Sequence, residues 1–335
     1  MSLIYSPVMM LTSMILILST LMAMSSTSWI LLWGAMELNL LSFIPILLQV
    51  KTHQEIEGSV KYFLAQALGS ALLLTSSTAM WMSFSSYPNL MPPLLTASLL
   101  LKLGSFPCHF WYPSVMASIS WTSCLILSTW QKFAPLSILA FLLTQKNMQF
   151  MMAAAGMNAL LGGIMGMNQS QLRVILAYSS IGHIGWMLSL VSMFKPTAAI
   201  TYFFLYSMLI TPLFLFMNYL NIQHVKHLNT STSNSVILWA ALIMLLMSLG
   251  GLPPLTGFMP KFMTILLLVS SMKILAFLLI LGSVMNLYYY LNISISMMLS
   301  MPLLKTQSLV KHKTLKPFTL MLSIASLGLS PLIMM

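Results

Sequence analysis

Four side chains that can carry charge lie in the middle of long apolar stretches of this sequence. They are Glu37, Lys102, Lys132 and Lys261, in a chain of 335 residues of which 5% are charged. A charge at the centre of a bilayer costs at least ~2.5–3.5 kcal/mol on insertion scales, so an ionisable group at that depth indicates a functional site. Four such groups predict a path for ions through a membrane.

The surroundings of Glu37 and Lys102 leave two interpretations open for each. Glu37 lies too far from a helix end to reach water, so it needs a partner, either a lysine or the hydroxyl groups of a purely structural site. Lys102 precedes Gly104 and Pro107, and a proline frees a backbone carbonyl that then needs water or a protein donor. Lys102 is therefore either a titratable site in a hydrated break or a lysine that caps freed carbonyls.

Two polar stripes run along otherwise apolar segments at helical spacing. The first contains Ser128, Gln131, Lys132 and Pro135, and the second contains Ser179, Gly182, His183 and Trp186. His183 lies near the middle of its segment and is a candidate proton relay. A histidine that only hydrogen-bonds to a neighbouring helix is the alternative.

The composition indicates an all-α integral membrane protein. Hydrophobic residues make up 59% of the chain and only three residues are acidic, which leaves too little polar surface for a soluble globule. Two cysteines are too few for an iron–sulfur cluster, so we expect no cofactor and no metal in this chain. The basic residues are scattered, which argues against nucleic acid, and their one cluster is typical of an anchor to anionic phospholipids: Lys311, His312, Lys313 and Lys316.

Hydropathy predicts about eleven transmembrane helices, most of them of roughly 20 to 25 residues. Their approximate ranges are 3–24, 28–48, 59–83, 90–112, 121–143, 148–167, 172–193, 197–220, 236–271, 274–299 and 316–334. The ninth range is too long for one straight crossing and contains Gly250-Gly251-Leu252-Pro253-Pro254. We interpret it as one crossing broken near its centre, with two full crossings as the alternative.

The order of these helices predicts an inverted repeat. Residues 1–143 hold five helices and residues 148–299 hold another five, so the second repeat must enter the membrane from the opposite face; 300–335 add a basic loop and a C-terminal helix. The fourth helix of each repeat carries helix breakers beside a lysine, Lys102 in the first and Lys261 in the second. Matched interruptions in two halves indicate a transport site.

The distribution of basic residues predicts the orientation. Loops and helix ends on the side of the N-terminus carry eight lysines and arginines against three on the other side, which places the N-terminus inside.

The start of the chain lacks an Arg-rich amphipathic leader, so we expect no import from the cytosol. The 33 methionines outnumber the isoleucines, as a mitochondrial code that reads an isoleucine codon as methionine would produce, with core filling by flexible methionine as the alternative.

Several motifs in order along the chain carry a resemblance to a known family. They include Met36-Glu37-Leu38-Asn39, Lys61-Tyr62-Phe63-Leu64, Leu101-Lys102-Leu103-Gly104, Thr129-Trp130-Gln131-Lys132 and the run from Ser248 to Lys261. Together they closely resemble the antiporter-like membrane-arm subunits of respiratory complex I, in the family of animal mitochondrial NADH-ubiquinone oxidoreductase chain 2. The resemblance covers nearly the whole chain.

The resemblance implies a proton-pumping subunit without a redox centre, in the mitochondrial inner membrane, with the N-terminus in the matrix and the C-terminus in the intermembrane space. NADH, flavin, iron–sulfur clusters and ubiquinone are then bound by other subunits, and the partners are the other membrane-arm subunits and phospholipids. In that family the residue at Glu37 pairs with Lys102, Lys132 links the two half-channels, and Lys261 is the exit-side proton carrier. This sequence departs from the family after Pro113, where Ser114-Val115-Met116-Ala117-Ser118 lacks the acidic residue common in relatives.

Two other functions remain open at the level of sequence. A subunit of a cation/proton antiporter could use the same repeat, driven by an ion gradient. A purely architectural membrane subunit could contain buried charges that stabilise packing and carry nothing.

Overall fold

The computed structural model describes residues 7–49, 52–81, 91–142, 147–220, 224, 236–304, 323 and 325. Within these ranges the protein forms thirteen α-helices, and the only β-type pairing is an isolated bridge between Gln171 and His224. The helices are α1 (Pro7–Ser25), α2 (Trp29–Leu47), α3 (His53–Trp81), α4 (Met91–Leu103), α5 (Trp111–Ser118), α6 (Trp121–Ser128), α7 (Trp130–Leu142), α8 (Met148–Met167), α9 (Leu172–Ser192), α10 (Pro196–Leu220), α11 (Val236–Gly250), α12 (Phe258–Val269) and α13 (Lys273–Leu304).

The predicted all-α membrane fold is confirmed. Among the described residues, eight helical segments are long and apolar enough to cross a membrane, and three shorter apolar helices, α4, α11 and α12, lie in two more predicted spans, 90–112 and 236–271. The predicted eleventh span, 316–334, lies outside the described residues except for Ser323 and Ala325, and so does the basic cluster at 311–316. The count of eleven therefore stays a prediction.

Both predicted helix breaks are present. The chain leaves α4 at Gly104, which has a φ of 69°, and leaves α11 at Gly251, which has a φ of 88°. Residues other than glycine rarely adopt these left-handed conformations, so each glycine ends its helix. The described 15 residues of α11 and the 12 of α12 span about 22 and 18 Å, each shorter than a ~30 Å core, which favours one broken crossing over two full ones.

The predicted span 121–143 corresponds to one segment, Trp121–Leu142, that is long and apolar enough to cross a membrane, but the helix in it is interrupted at Thr129. Thr129 has a φ of −110° and a ψ of −74°, and it separates α6 from α7. The carbonyl of Leu125 accepts three hydrogen bonds there, from the Thr129 amide at 3.1 Å, the Thr129 hydroxyl at 2.7 Å and the Ser128 hydroxyl at 3.0 Å. Side-chain donors that compete for a helix carbonyl weaken the regular backbone hydrogen bonding of the helix. A search for glycine and proline as helix breakers does not detect such donors.

The chain divides into two compact units. The first contains Met1–Ala154 with Phe194–Pro196, and the second contains Ala155–Met193 with Thr197–Met335. In the second unit α9 is buried along nearly its whole length. The predicted domain limits and the inverted relation between the repeats stay predictions.

Candidate functional site

Lys102 lies in the last turn of α4 and is 6% exposed. Its aliphatic stem lies against α3 at Gly69, where an added Cβ would be only 2.9 Å from Lys102 Cγ. Sequence reasoning missed Gly69, although an isolated glycine inside a long helix is a signal of close packing. The glycine therefore leaves the space that the lysine stem occupies.

Other side chains satisfy the carbonyls that the first break frees. Gln66 Nε2 donates to the Lys102 carbonyl at 3.0 Å, Trp111 Nε1 donates to the Leu101 carbonyl at 3.1 Å, and the Ser105 hydroxyl donates to the Leu100 carbonyl at 3.0 Å. Within the part of the chain that the structure describes, the Lys102 ammonium makes no hydrogen bond. The structure therefore does not support the interpretation of Lys102 as a carbonyl cap.

Glu37 lies half-buried on α2 and interacts electrostatically with Lys102. Among the described residues no hydrogen bond or salt bridge joins the two side chains, whereas the exposed residues Glu57 and Lys61 form a direct ion pair. An attraction across a gap changes with small movements of either group, because the Coulomb energy depends on their separation. The structure brings the two charges near each other, and their functional pairing stays a prediction.

Lys132 lies in the first turn of α7 and is buried against Tyr112 of α5. Its Nζ is 4.0 Å from the centroid of the Tyr112 ring, which is a cation–π geometry. Sequence reasoning missed Tyr112 as part of the site.

A polar network lies beside Lys132. Gln131 Nε2 donates to Asn39 Oδ1 at 3.0 Å, and the Tyr62 hydroxyl donates to Gln131 Oε1 at 3.3 Å. The network joins α2, α3 and α7 and places Asn39 two residues after Glu37 on α2. The sequence predicted the stripe that contains Gln131 but not these two partners, although both lie in motifs that carry the family resemblance.

Lys261 contacts its break in a different way from Lys102. It lies in the first turn of α12, and its buried ammonium donates to the carbonyl of Gly250 at 2.9 Å and to that of Leu249 at 3.4 Å. A Cβ on Gly251 would be 2.8 Å from Lys261 Nζ, so the glycine makes room for the ammonium. Lys261 therefore caps the negative end of the α11 dipole.

His183 occupies the middle of α9 in the second unit. Its Nδ1 is 3.0 Å from the hydroxyl of Tyr202, and its ring centroid is 5.0 Å from that of Tyr206, one turn further along α10. This hydrogen bond is compatible with either predicted role, a relay or an interhelical contact.

The first unit thus holds Glu37, Lys102 and Lys132, and the second holds His183 and Lys261.

Two observations concern cofactors and the missing acidic residue. Across the described ranges, no group of three or more histidine, cysteine, aspartate or glutamate side chains could hold a metal ion. Ser114, the first residue of the segment that lacks an acidic residue, lies in α5 and donates its hydroxyl to the Trp111 carbonyl at 2.8 Å.

Comparison with known sequences identifies relatives along almost the whole chain. The family described as NADH:quinone oxidoreductase/Mrp antiporter, TM, matches residues 26–286. A protein of Lumbricus terrestris named NADH-ubiquinone oxidoreductase chain 2 is 63% identical, over 98% of this chain and 98% of its own length. The protein of the same name from Xenopus laevis is 40% identical, over 91% of this chain and 90% of its own length.

Comparison with solved structures shows the same fold. A chain of respiratory complex I from Thermus thermophilus has a TM-score of 0.82 at 21% identity, covering 95% of this chain and 76% of that one. A chain of the archaeal membrane-bound sulfane sulfur reductase has a TM-score of 0.84 at 16% identity, covering 95% and 71%. A chain of the Mrp complex from Dietzia sp. DQ12-45-1b has a TM-score of 0.75 at 18% identity, covering 84% and 59%.

Proposed function

The chain belongs to the family of NADH:quinone oxidoreductase/Mrp antiporter membrane subunits, and from this premise we propose that it is a core membrane subunit of respiratory complex I, the proton-translocating NADH:ubiquinone oxidoreductase. The relatives from Lumbricus and Xenopus carry the name of a chain of that enzyme and match nearly the full length of this one. The role of the chain is to carry a proton path, whereas quinone reduction takes place in other subunits.

The observation that supports a proton path is the environment of the Lys102 ammonium. Its ammonium is buried, interacts electrostatically with a carboxylate, and has no hydrogen-bonding role in the described structure. A lysine kept only for packing would be expected to satisfy a carbonyl or form a direct ion pair, because an uncompensated buried charge is costly. A lysine that must gain and lose a proton fits this environment better.

The proposed mechanism begins at Glu37. A conformational or electrostatic change weakens its attraction for Lys102, which then releases its proton more readily. The proton moves by water to Lys132 and, with His183 as a relay, to Lys261. The transfer from the first unit to the second is proposed on the family resemblance.

We place the protein in the mitochondrial inner membrane, with the N-terminus in the matrix and the C-terminus in the intermembrane space. Its partners are the other membrane-arm subunits and phospholipids. Flavin, iron–sulfur clusters, NADH and ubiquinone are held by those other subunits. Purification of the native assembly tests this placement: flavin- and iron–sulfur-bearing subunits should copurify with the chain, and an assembly that lacks them would contradict it.

The fold shared with a chain of the Mrp complex keeps a cation/proton antiporter as the second candidate. Vesicles that contain the purified assembly separate the two functions. Proton movement that requires NADH and a quinone supports complex I. Proton movement that follows a sodium gradient without NADH supports the antiporter.

The architectural alternative makes a different prediction for Lys102→Met. If the buried charges only stabilise packing, this substitution should reduce the amount of assembled complex. If Lys102 carries protons, the complex should assemble, and proton translocation should be lost.

A further inference from the structure

The ring of Tyr112 lies under the ammonium of Lys132, and both side chains are buried. Nζ is 4.0 Å from the ring centroid, and the side chains are 4% and 1% exposed for Lys132 and Tyr112. A cation–π attraction acts on the charged form of a lysine and is strongest where water is excluded. The ring therefore favours an ammonium at this place.

The first helix break fixes the position of this ring. A Cβ on Gly104 would be 2.7 Å from Tyr112 Cβ, so the turn residue lies directly against the tyrosine. The neighbouring Trp111 packs edge-on to Tyr112 and donates its Nε1 hydrogen to the carbonyl of Leu101. Tyr112 thus contacts the turn that directly follows the α4 end, and that end carries Lys102.

The titratable side chains around this position come from several helices. The helices that pack with α7 carry Lys102 on α4 and Cys124 on α6. The helices that hydrogen-bond to Gln131 carry Glu37 on α2 and His53, Glu55, Glu57, Lys61 and Tyr62 on α3. Lys102 and Lys132 both belong to the first unit. A π face is one way to favour a second buried cation without another carboxylate.

We propose that Tyr112 is a positioning residue for Lys132: its π face holds the ammonium next to the first helix break. A displacement of the α4 end then moves the ring and weakens the hold on the Lys132 ammonium. This proposal rests on the proposed function, because the proton path of that function gives Lys132 a proton to hold.

The test uses the intact complex in proteoliposomes, with NADH-driven proton translocation measured as a function of pH. Tyr112→Leu removes the π face, and the alkaline limb of the profile should shift to lower pH by about one unit, as expected from the strength of a buried cation–π contact. Tyr112→Phe keeps the ring and should show the same pH profile as the unchanged protein. Phe141→Leu, on a 68% exposed side chain of α7, controls for the loss of an aromatic ring.

Three outcomes would overturn the proposal: an unshifted profile in Tyr112→Leu, an equal shift in Tyr112→Phe, which would assign the effect to the hydroxyl, or an equal shift in Phe141→Leu. If Tyr112→Leu does not assemble, Tyr112→Met fills the space with a flexible side chain and should show the same shift.

Lys132→Met separates this proposal from the proposed function. If that variant translocates protons fully, the proton path through Lys132 is wrong. If it does not, while Tyr112→Leu keeps the original profile, only the role of Tyr112 is wrong.

Discussion

The substitution Gly69→Ala should disturb Lys102 without touching its charge. The new Cβ would lie 2.9 Å from Lys102 Cγ and 3.1 Å from Leu101 Cδ2. Ordinary carbon contacts are about 3.5–4.0 Å, so both side chains must move away from α3 by roughly half an ångström to one ångström. They are neighbours on α4, so the simplest response is a shift of the helix end that carries Lys102.

Two opposing terms set the effect on stability. Alanine gains about 0.5–1 kcal/mol over glycine inside a helix. Overpacking costs about 1–3 kcal/mol. Gly34→Ala on α2 is the matched control, because its new Cβ would meet nothing within 4 Å. This variant should therefore show only the gain in stability that alanine brings inside a helix. The two variants should therefore differ by about 1–3 kcal/mol in the free energy of unfolding.

The assay compares proton translocation with NADH oxidation in the assembled complex for both variants. A misplacement of about 1 Å at a reacting group can cost about a hundredfold in rate, so a shift of half that size should slow translocation about tenfold in Gly69→Ala. NADH oxidation by an artificial acceptor should stay unchanged. Equal translocation by Gly69→Ala and Gly34→Ala would refute the packing argument and the importance of the Lys102 position.

Three other substitutions follow from the contacts of the site. Lys261→Met leaves two buried carbonyls without their donor, so hydrogen exchange at the end of α11 should speed up by the equivalent of about 1–3 kcal/mol, and an unchanged exchange rate would contradict the cap. Gln131→Leu breaks two interhelical hydrogen bonds and should lower the unfolding free energy by about 1–3 kcal/mol in thermal denaturation; no loss would show that the network contributes little. Tyr202→Phe removes the hydroxyl beside His183, the candidate relay, and should slow translocation several-fold more than Tyr206→Phe, whereas equal rates would argue for a purely structural histidine.

The sequence predicted the breaks and their lysines because glycine and proline act locally. Gly104 and Gly251 end their helices through their own backbone conformations, which need no knowledge of the rest of the fold. Lys102 and Lys261 contact their helix breaks differently because they lie on opposite sides of those breaks in the chain. Lys102 precedes its break and lies in the helix that ends there, whereas Lys261 follows its break and reaches back to the carbonyls of α11.

The parts that sequence reasoning missed depend on contacts between helices. Tyr112 meets Lys132, Gly69 meets Lys102, and Asn39 meets Gln131 only after the helices have packed. The pairs are separated by 20 to 92 residues in the chain, and no periodicity within one helix reports such a contact.

The most direct test of the central claim compares Lys102→Met with Lys195→Met in the intact complex. Both remove one positive charge, but Lys102 is buried beside the first break whereas Lys195 is exposed between α9 and α10. The measured quantity is the number of protons translocated per NADH oxidised. We expect this ratio to fall sharply for Lys102→Met and to stay at the original value for Lys195→Met. An unchanged ratio in an assembled Lys102→Met complex would contradict a proton path through this lysine.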